Sequence, residues 1–271
     1  MAESISYDRA ADYYDETRVL PDNVASRLMN VLLSEFTAVK ATTVLEVGVG
    51  TGRIARPLAA HGIEVVGVDV APRMLQRLRD QLQPGQARSV LPILGDATAL
   101  PFHSGSFAAV LAFHVFHLIL PLEPALEELR RALVRGGVLI HEDTRYGGSG
   151  HWDASQGKWK ELMAAKGYST RSWPSIEDIH AKMRSIGGTC RTIVFAEGEE
   201  SRTPAENLRR IVERIDSWTW EIADEAFADC LAEFEPWYRR YYARMDDPLS
   251  TPVSYAVVIW TFDNECHGRG R

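Results

Sequence analysis

Thr42-Thr43-Val44-Leu45-Glu46-Val47-Gly48-Val49-Gly50-Thr51-Gly52 is the stretch of this 271-residue chain on which the fold turns. A short apolar run rich in β-branched residues and closed by glycine reads as a buried parallel strand. Glycines at three alternate positions then open a tight turn in which a ligand can lie against bare backbone. Residues 51–61 continue as a helix that Gly62 stops, and the amide hydrogens at its start offer a place for an anion.

The pattern repeats outward from that turn. Residues 24–39 upstream read as an amphipathic helix with Val24, Leu28, Val31, Leu32 and Phe36 on one face. Downstream, residues 63–69 form a second strand that ends on an acid. A helix opens at Pro72, shares Met74, Leu75, Leu78 and Leu82 on one face, and stops at Pro84-Gly85. Residues 89–94 and 107–113 give the third and fourth strands. A helix with Leu126, Leu129 and Leu133 inward runs to Gly136-Gly137, and residues 138–141 make a fifth strand. Strand and helix alternating five times predict an α/β, doubly wound, mostly parallel sheet.

After residue 143 the rhythm changes. Residues 144–174, rich in Gly, Ser and Trp, read as an insertion over the ligand edge of the sheet. A helix over 175–186, a strand over 190–196, more helix over 204–245 and a last strand over 253–262 follow, with a polar tail from Asn264. No linker composition separates these parts. The expectation is one domain over 1–271, with a core at about 40–143 and helical cap insertions at about 144–174 and 201–246.

Composition narrows the function. A net charge of −7 lacks the basic excess of most nucleic-acid binders, so no nucleic-acid partner is expected. Three scattered cysteines suit neither a disulfide framework nor a metal site, and point to a reducing, cytoplasmic setting. The longest apolar stretch, 107–122, is interrupted by His114 and His117 and falls short of the ~18 residues of a membrane span. The acidic N-terminal residues do not read as a secretion signal.

A dinucleotide fingerprint requires glycine or alanine three residues after its second glycine, where this chain has Arg53. Gly48, Gly50 and Gly52, with Glu46 two residues upstream, instead resemble motif I of class I S-adenosylmethionine-dependent methyltransferases. Asp69 closes the second strand, and Asp96 follows the third in Leu94-Gly95-Asp96-Ala97, both in the order the family uses. Glu127 to Gly137 resembles a further family motif, with Arg135 in place of the usual proline. Tyr14-Asp15-Glu16-Thr17-Arg18 resembles a Tyr-Asp-x-Thr-Arg element of small-molecule members.

The resemblance implies a Rossmann-like seven-stranded sheet with the last strand antiparallel, binding S-adenosylmethionine and releasing S-adenosylhomocysteine. Glu46 would receive the methionine amino group, with Tyr14 over that end and Arg18 on its carboxylate. Gly48 and Gly50 would touch the methionine portion, and Gly52 would let a helix pack closely. Asp69 would take the ribose; Val70, Asp96 and Ala97 would define the adenine; Phe113 would line the site. The implied reaction is methyl transfer to a small molecule whose acceptor atom (oxygen, nitrogen or carbon) stays open. Candidate bases are His114, the one preferred, with His117, His141, Glu142 and His151 as others. The collection Trp152, Trp159, Trp173, Trp218, Trp220, Trp237, Tyr238, Tyr241 and Tyr242 offers either a pocket for an apolar acceptor or ordinary packing. No metal-ligand spacing occurs. A nicotinamide oxidoreductase and a non-catalytic cofactor-binding module acting through a partner are the competing readings.

Overall fold

The computed structural model of the chain describes residues 4–147, 151–169 and 174–262, with the backbone alone at 151–153. Short helix α1 (Tyr14–Thr17) and long helix α2 (Asp22–Ala38) lead into β1 (Thr43–Val47). There follow α3 (Ala55–Ala60), β2 (Glu64–Asp69), α4 (Pro72–Gln81), β3 (Val90–Leu94), β4 (Phe107–Ala112), α5 (Leu122–Ala132) and β5 (Leu133–Glu142). The remainder comprises β6 (Arg145–Tyr146), α6 (His151–Ala165), α7 (Ile176–Ser185), β7 (Gly188–Arg202), α8 (Pro204–Val212), α9 (Asp224–Tyr241) and β8 (Leu249–Phe262).

The strands form one sheet in the order β3-β2-β1-β4-β5-β8-β6, with β7 also paired to β8. β1 to β5 are parallel, Leu45 lying beside Val66 on one side and Val110 on the other. β8 runs antiparallel to β5, Leu139 facing Trp260. The predicted doubly wound, mostly parallel sheet with an antiparallel last strand is therefore present. The two-residue β6 raises the strand count from the predicted seven to eight among the described residues.

The chain divides into two compact units. The first holds residues 1–143, 173–196 and 255–271; the second holds 144–172 and 197–254. In the first unit, alternation along each strand feeds two cores. Val110 and Ala112 of β4 join Leu126 and Leu129 of α5, Met183 of α7 and Trp260. Ala109, Leu111 and the following Phe113 join Leu28, Leu32 and Phe36 of α2 with Leu58 of α3. In the second unit α6, α8 and α9 enclose Trp159, Leu208, Phe227, Phe234 and Tyr238, all buried.

Several boundaries differ from expectation for identifiable reasons. Helix α5 stops at Ala132, and Gly136-Gly137 lie inside β5 instead of ending the helix. Pairing with β4 shifts from Leu133 to Val138 across a bulge, and Gly136 adopts φ 77° within it. Residues 144–174, expected as a helical insertion, contain the helix α6. The predicted helix over 204–245 is two helices. Arg214 breaks the run in a left-handed conformation, and its guanidinium binds the carbonyls of Thr219, Trp220 and Ile222. The polar tail lies outside the described residues. Among the described residues no helix is long and apolar enough to cross a membrane, and no cluster of metal-ligating side chains occurs.

Candidate active site

The glycine turn leaves β1 at Val47 and is tied to the end of β2, where the Gly48 amide donates to the Val68 carbonyl at 2.8 Å. Gly48 and Gly52 both require glycine. Their φ angles are 69° and 80°, and a β-carbon would lie 2.4 Å from Val115 Cγ2 and 2.3 Å from Leu78 Cδ1 respectively. The helix that Gly52 admits is thus α4, which carries Leu78.

The acids collect around this turn. Glu46 is 2% exposed, and its Oε2 is buried with no hydrogen-bond partner among the described residues. Burial pushes its carboxyl up to about 8; Arg53 opposes that shift and Asp69 adds to it. Asp69 accepts the Gly50 amide at 2.8 Å and the Ala71 amide at 2.9 Å, one on each oxygen. Burial raises the Asp69 carboxyl, and those backbone bonds counter the rise. Asp96 accepts the Thr98 amide at 2.8 Å at the turn after β3. Ala97 is buried and Val70 half-buried.

An N-terminal segment closes over the same ends. The Ile5 amide donates to the Leu118 carbonyl at 3.0 Å, and the Arg73 amide donates to Asp8 Oδ1 at 2.8 Å. Asp15 accepts from the Thr51 hydroxyl at 2.5 Å and from Gln81 Nε2 at 2.7 Å, pinning α1 to the glycine turn and to α4. Arg53 Nη1 donates to the Arg18 carbonyl at 3.3 Å. Burial raises the Tyr14 hydroxyl against the lowering pull of Arg53 and Arg18.

At the ends of β4 and β5, His114 stands in a left-handed conformation (φ 52°). Its amide donates to Glu142 Oε1, and its ring Nδ1 lies 3.5 Å from that same oxygen. Glu142 Oε2 is buried without a hydrogen-bond partner among the described residues. Burial pushes this carboxyl up to about 7, opposed by backbone hydrogen bonds and Arg53. Enclosure, with Arg53, His117 and Arg18 nearby, pushes the His114 imidazolium well below its usual range. Yet 39% of its side-chain surface stays open.

The methyltransferase domain family matches residues 45–141, the span that holds the glycine turn, the three acids and His114. This segment is similar to methyltransferase domains. A malonyl-[acyl-carrier protein] O-methyltransferase of Halorhodospira halophila is 36% identical over 137 residues, covering 50% of this chain and 45% of that protein. A demethylmenaquinone methyltransferase of Thermotoga maritima is 31% identical over 137 residues, covering 49% and 58%. The chain therefore spans about half the length of the curated relatives it matches. The YcgJ protein of Bacillus subtilis shares the fold with a TM-score of 0.54 and 17% identity, over 85% of this chain and 99% of that one.

The fold brings Glu46, Gly48, Gly50, Gly52 and Asp69 together, and seats Tyr14 and Arg18 beside Arg53. Phe113 is 6% exposed and belongs to the same buried cluster as Val49 and Ile54. His141 is fully buried. The Trp260 indole, a donor only, meets its Nε2 at 3.2 Å, so Nε2 accepts and Nδ1–H donates to the Glu142 carbonyl at 2.8 Å. That lone pair is committed, and His141 has none left for a substrate. Burial pushes His117 down to about 4. The side chains of His151 and Trp152, and Trp173 entirely, lie outside the described residues. Trp159 meets Trp218, Phe227 and Phe234 at ring distances of 5.6, 5.0 and 5.1 Å, which is packing. Sequence reasoning missed Asp15 as the clamp and Arg53 as the cation shared by Glu46, His114 and Glu142. Arg53 was noticed only for the glycine it replaces.

Proposed function

We propose that this chain transfers a methyl group from S-adenosylmethionine to a small-molecule acceptor. The observation that carries the reading is Glu46: a wholly buried carboxyl, directly before the glycine turn, with one oxygen lacking a donor. A buried acceptor in that state is costly unless a cation arrives to satisfy it, and an α-ammonium is such a group. Asp69 keeps lone pairs beyond its two backbone bonds for the ribose hydroxyls, with Asp96, Ala97 and Val70 on the adenine side. Tyr14 and Arg18 cover the methionine end, where Arg18 suits a carboxylate. Gly48 and Gly50 lie against the methionine portion in this reading, and Phe113 lines the site.

S-adenosylmethionine, when bound, supplies a methyl group already activated by its sulfonium. What remains for the protein is to hold the acceptor in line at near-attack distance in a dry site. His114, half-open at the end of β4, is the proton acceptor in this reading. The two relatives are named for different acceptors, so their shared segment supports the chemistry and not one acceptor. The free thiols Cys190 and Cys230 suit a reducing, cytoplasmic setting.

Labelled methyl from S-adenosylmethionine, offered with a host extract split into metabolite, protein and RNA fractions, tests this reading. Label in the metabolite fraction is expected. Label confined to RNA or protein would overturn the small-molecule assignment. Binding of NAD in preference to S-adenosylhomocysteine would favour the oxidoreductase.

A further inference from the structure

We propose that the second unit holds a binding site for an aromatic carboxylate, with Arg202 as its cation and Asn207 and Tyr238 as further donors. Every residue of the site lies in that unit, so the proposal goes beyond the methyl-transfer reading and stands or falls without it.

Three helices direct polar side chains to one place inside this unit. Ser155 leaves α6, Asn207 leaves α8 and Tyr238 leaves α9, and their exposures are only 4%, 6% and 0%. The Tyr238 hydroxyl lies against Ser155 and Asn207. Asn207 Oδ1 accepts from Arg202 Nη1 at 3.2 Å, which brings the guanidinium to the same group. Aromatic rings continue the seam between α6 and α9. Trp159 sits one turn after Ser155, and its ring lies 5.1 Å from Phe234, one turn before Tyr238. Trp218 meets Trp159 edge-on at 5.6 Å.

This group holds more donors than acceptors. Asn207 Nδ2, the Tyr238 hydroxyl and the indole nitrogens of Trp159 and Trp218 are buried with no hydrogen-bond partner among the described residues. An indole N–H or an amide N–H can only donate, and a buried donor left unmet is costly, so what satisfies this group must bring acceptor oxygens. Arg202 is half-buried and makes no ion pair among the described residues. The acids that face it are engaged elsewhere. Asp216 holds Arg210 on both oxygens, at 2.5 and 3.3 Å. Glu206 accepts the Thr203 amide at 2.9 Å as part of the α8 cap, and Glu200 accepts the Tyr146 hydroxyl at 3.4 Å. The like charge of Arg210 also faces Arg202. A partly buried guanidinium in that state calls for an anion, and its planar fork fits a carboxylate with two parallel bonds. A doubly charged phosphate would meet the field of those three acids, which favours the singly charged group. The rings of Trp159, Phe234 and Tyr238 suit an aromatic body behind the carboxylate.

Calorimetric titration of the full chain with benzoate, phenylacetate and cinnamate, each beside its neutral amide, tests the site. At least one acid should bind saturably, and its amide about tenfold or more weakly. Arg202→Gln should lose about tenfold or more in affinity for that acid, whereas Arg209→Gln, which removes an exposed cation paired with Glu213, should bind as wild type does. No acid binding below about 10 mM, equal binding of acid and amide, or wild-type affinity in Arg202→Gln would overturn the site. Thermal melts test it without any probe. Tyr238→Phe removes a buried hydroxyl that has no partner, so this variant should melt at or above the wild type. A lower melt would show that the hydroxyl is already satisfied within the unit, and would overturn the proposal.

Discussion

Glu46 is held in the least hydrated position of any acid in the site, and its chemistry follows from that. A carboxyl held up at about 8 is mostly neutral at pH 7, so an incoming ammonium must ionise it. Affinity for S-adenosylhomocysteine should therefore rise between pH 6 and 8, by up to about tenfold per unit, with proton release measurable by calorimetry in two buffers. Asp69 differs: its oxygens also organise the amides of Gly50 and Ala71. Asp69→Ala should weaken cofactor binding about 30-fold or more, and it also leaves two amides unpartnered, so circular dichroism must accompany the titration. Wild-type affinity in that variant would refute the ribose assignment. The glycines and their acids were legible in the sequence because each signal is local: a residue type at a fixed place after a strand. The His114–Glu142 contact was not, because it joins residues 28 apart across a parallel register that no local pattern encodes.

At the scale of elements, Asp15 is the clamp. It holds α1 on the glycine turn through Thr51 and on α4 through Gln81. Asp15→Ala should release the N-terminal segment, seen as faster amide exchange over residues 5–20, and weaken S-adenosylhomocysteine binding about tenfold. Unchanged exchange would show that Tyr7, Asp8 and their partners hold the segment alone. The Tyr14–Arg18 resemblance pointed here, but mixed charge on one short helix cannot reveal its partners on the turn and on α4. β5 was misjudged for a related reason: paired glycines read as a helix stop, whereas the tertiary structure uses them as a bulge inside a strand.

Across the whole molecule, buried titratable groups predict how stability depends on pH. Glu46 and Glu142 titrate higher in the folded state than in the unfolded chain. The folded state therefore holds extra protons between about pH 4.5 and 8, and stability falls as pH rises through that window. His114, His117 and His141 titrate lower when folded, so stability falls as pH drops below about 6.5. The two trends oppose each other between pH 4.5 and 6.5. Only the carboxyls act above that, so thermal melts should fall from pH 6.5 to 8. S-adenosylhomocysteine should raise the melt progressively more across that range, and a melt that rises steadily to pH 8 would contradict these burial assignments. The two-unit division left no mark in the sequence, because both later boundaries fall inside the continuous strands β7 and β8 and not in a Pro- or Gly-rich linker.

Calorimetric titration of S-adenosylhomocysteine into wild type and Glu46→Gln at pH 7.5 tests the central claim most directly. Glutamine keeps the shape and spares the folded chain from protonating a carboxyl that is ionised when unfolded, so the free variant should melt higher, by about 2 kcal/mol of added stability. It should nevertheless bind S-adenosylhomocysteine about 10- to 100-fold more weakly. Equal affinity in a well-folded variant, or no binding by the wild type, would contradict the assignment of this site to S-adenosylmethionine.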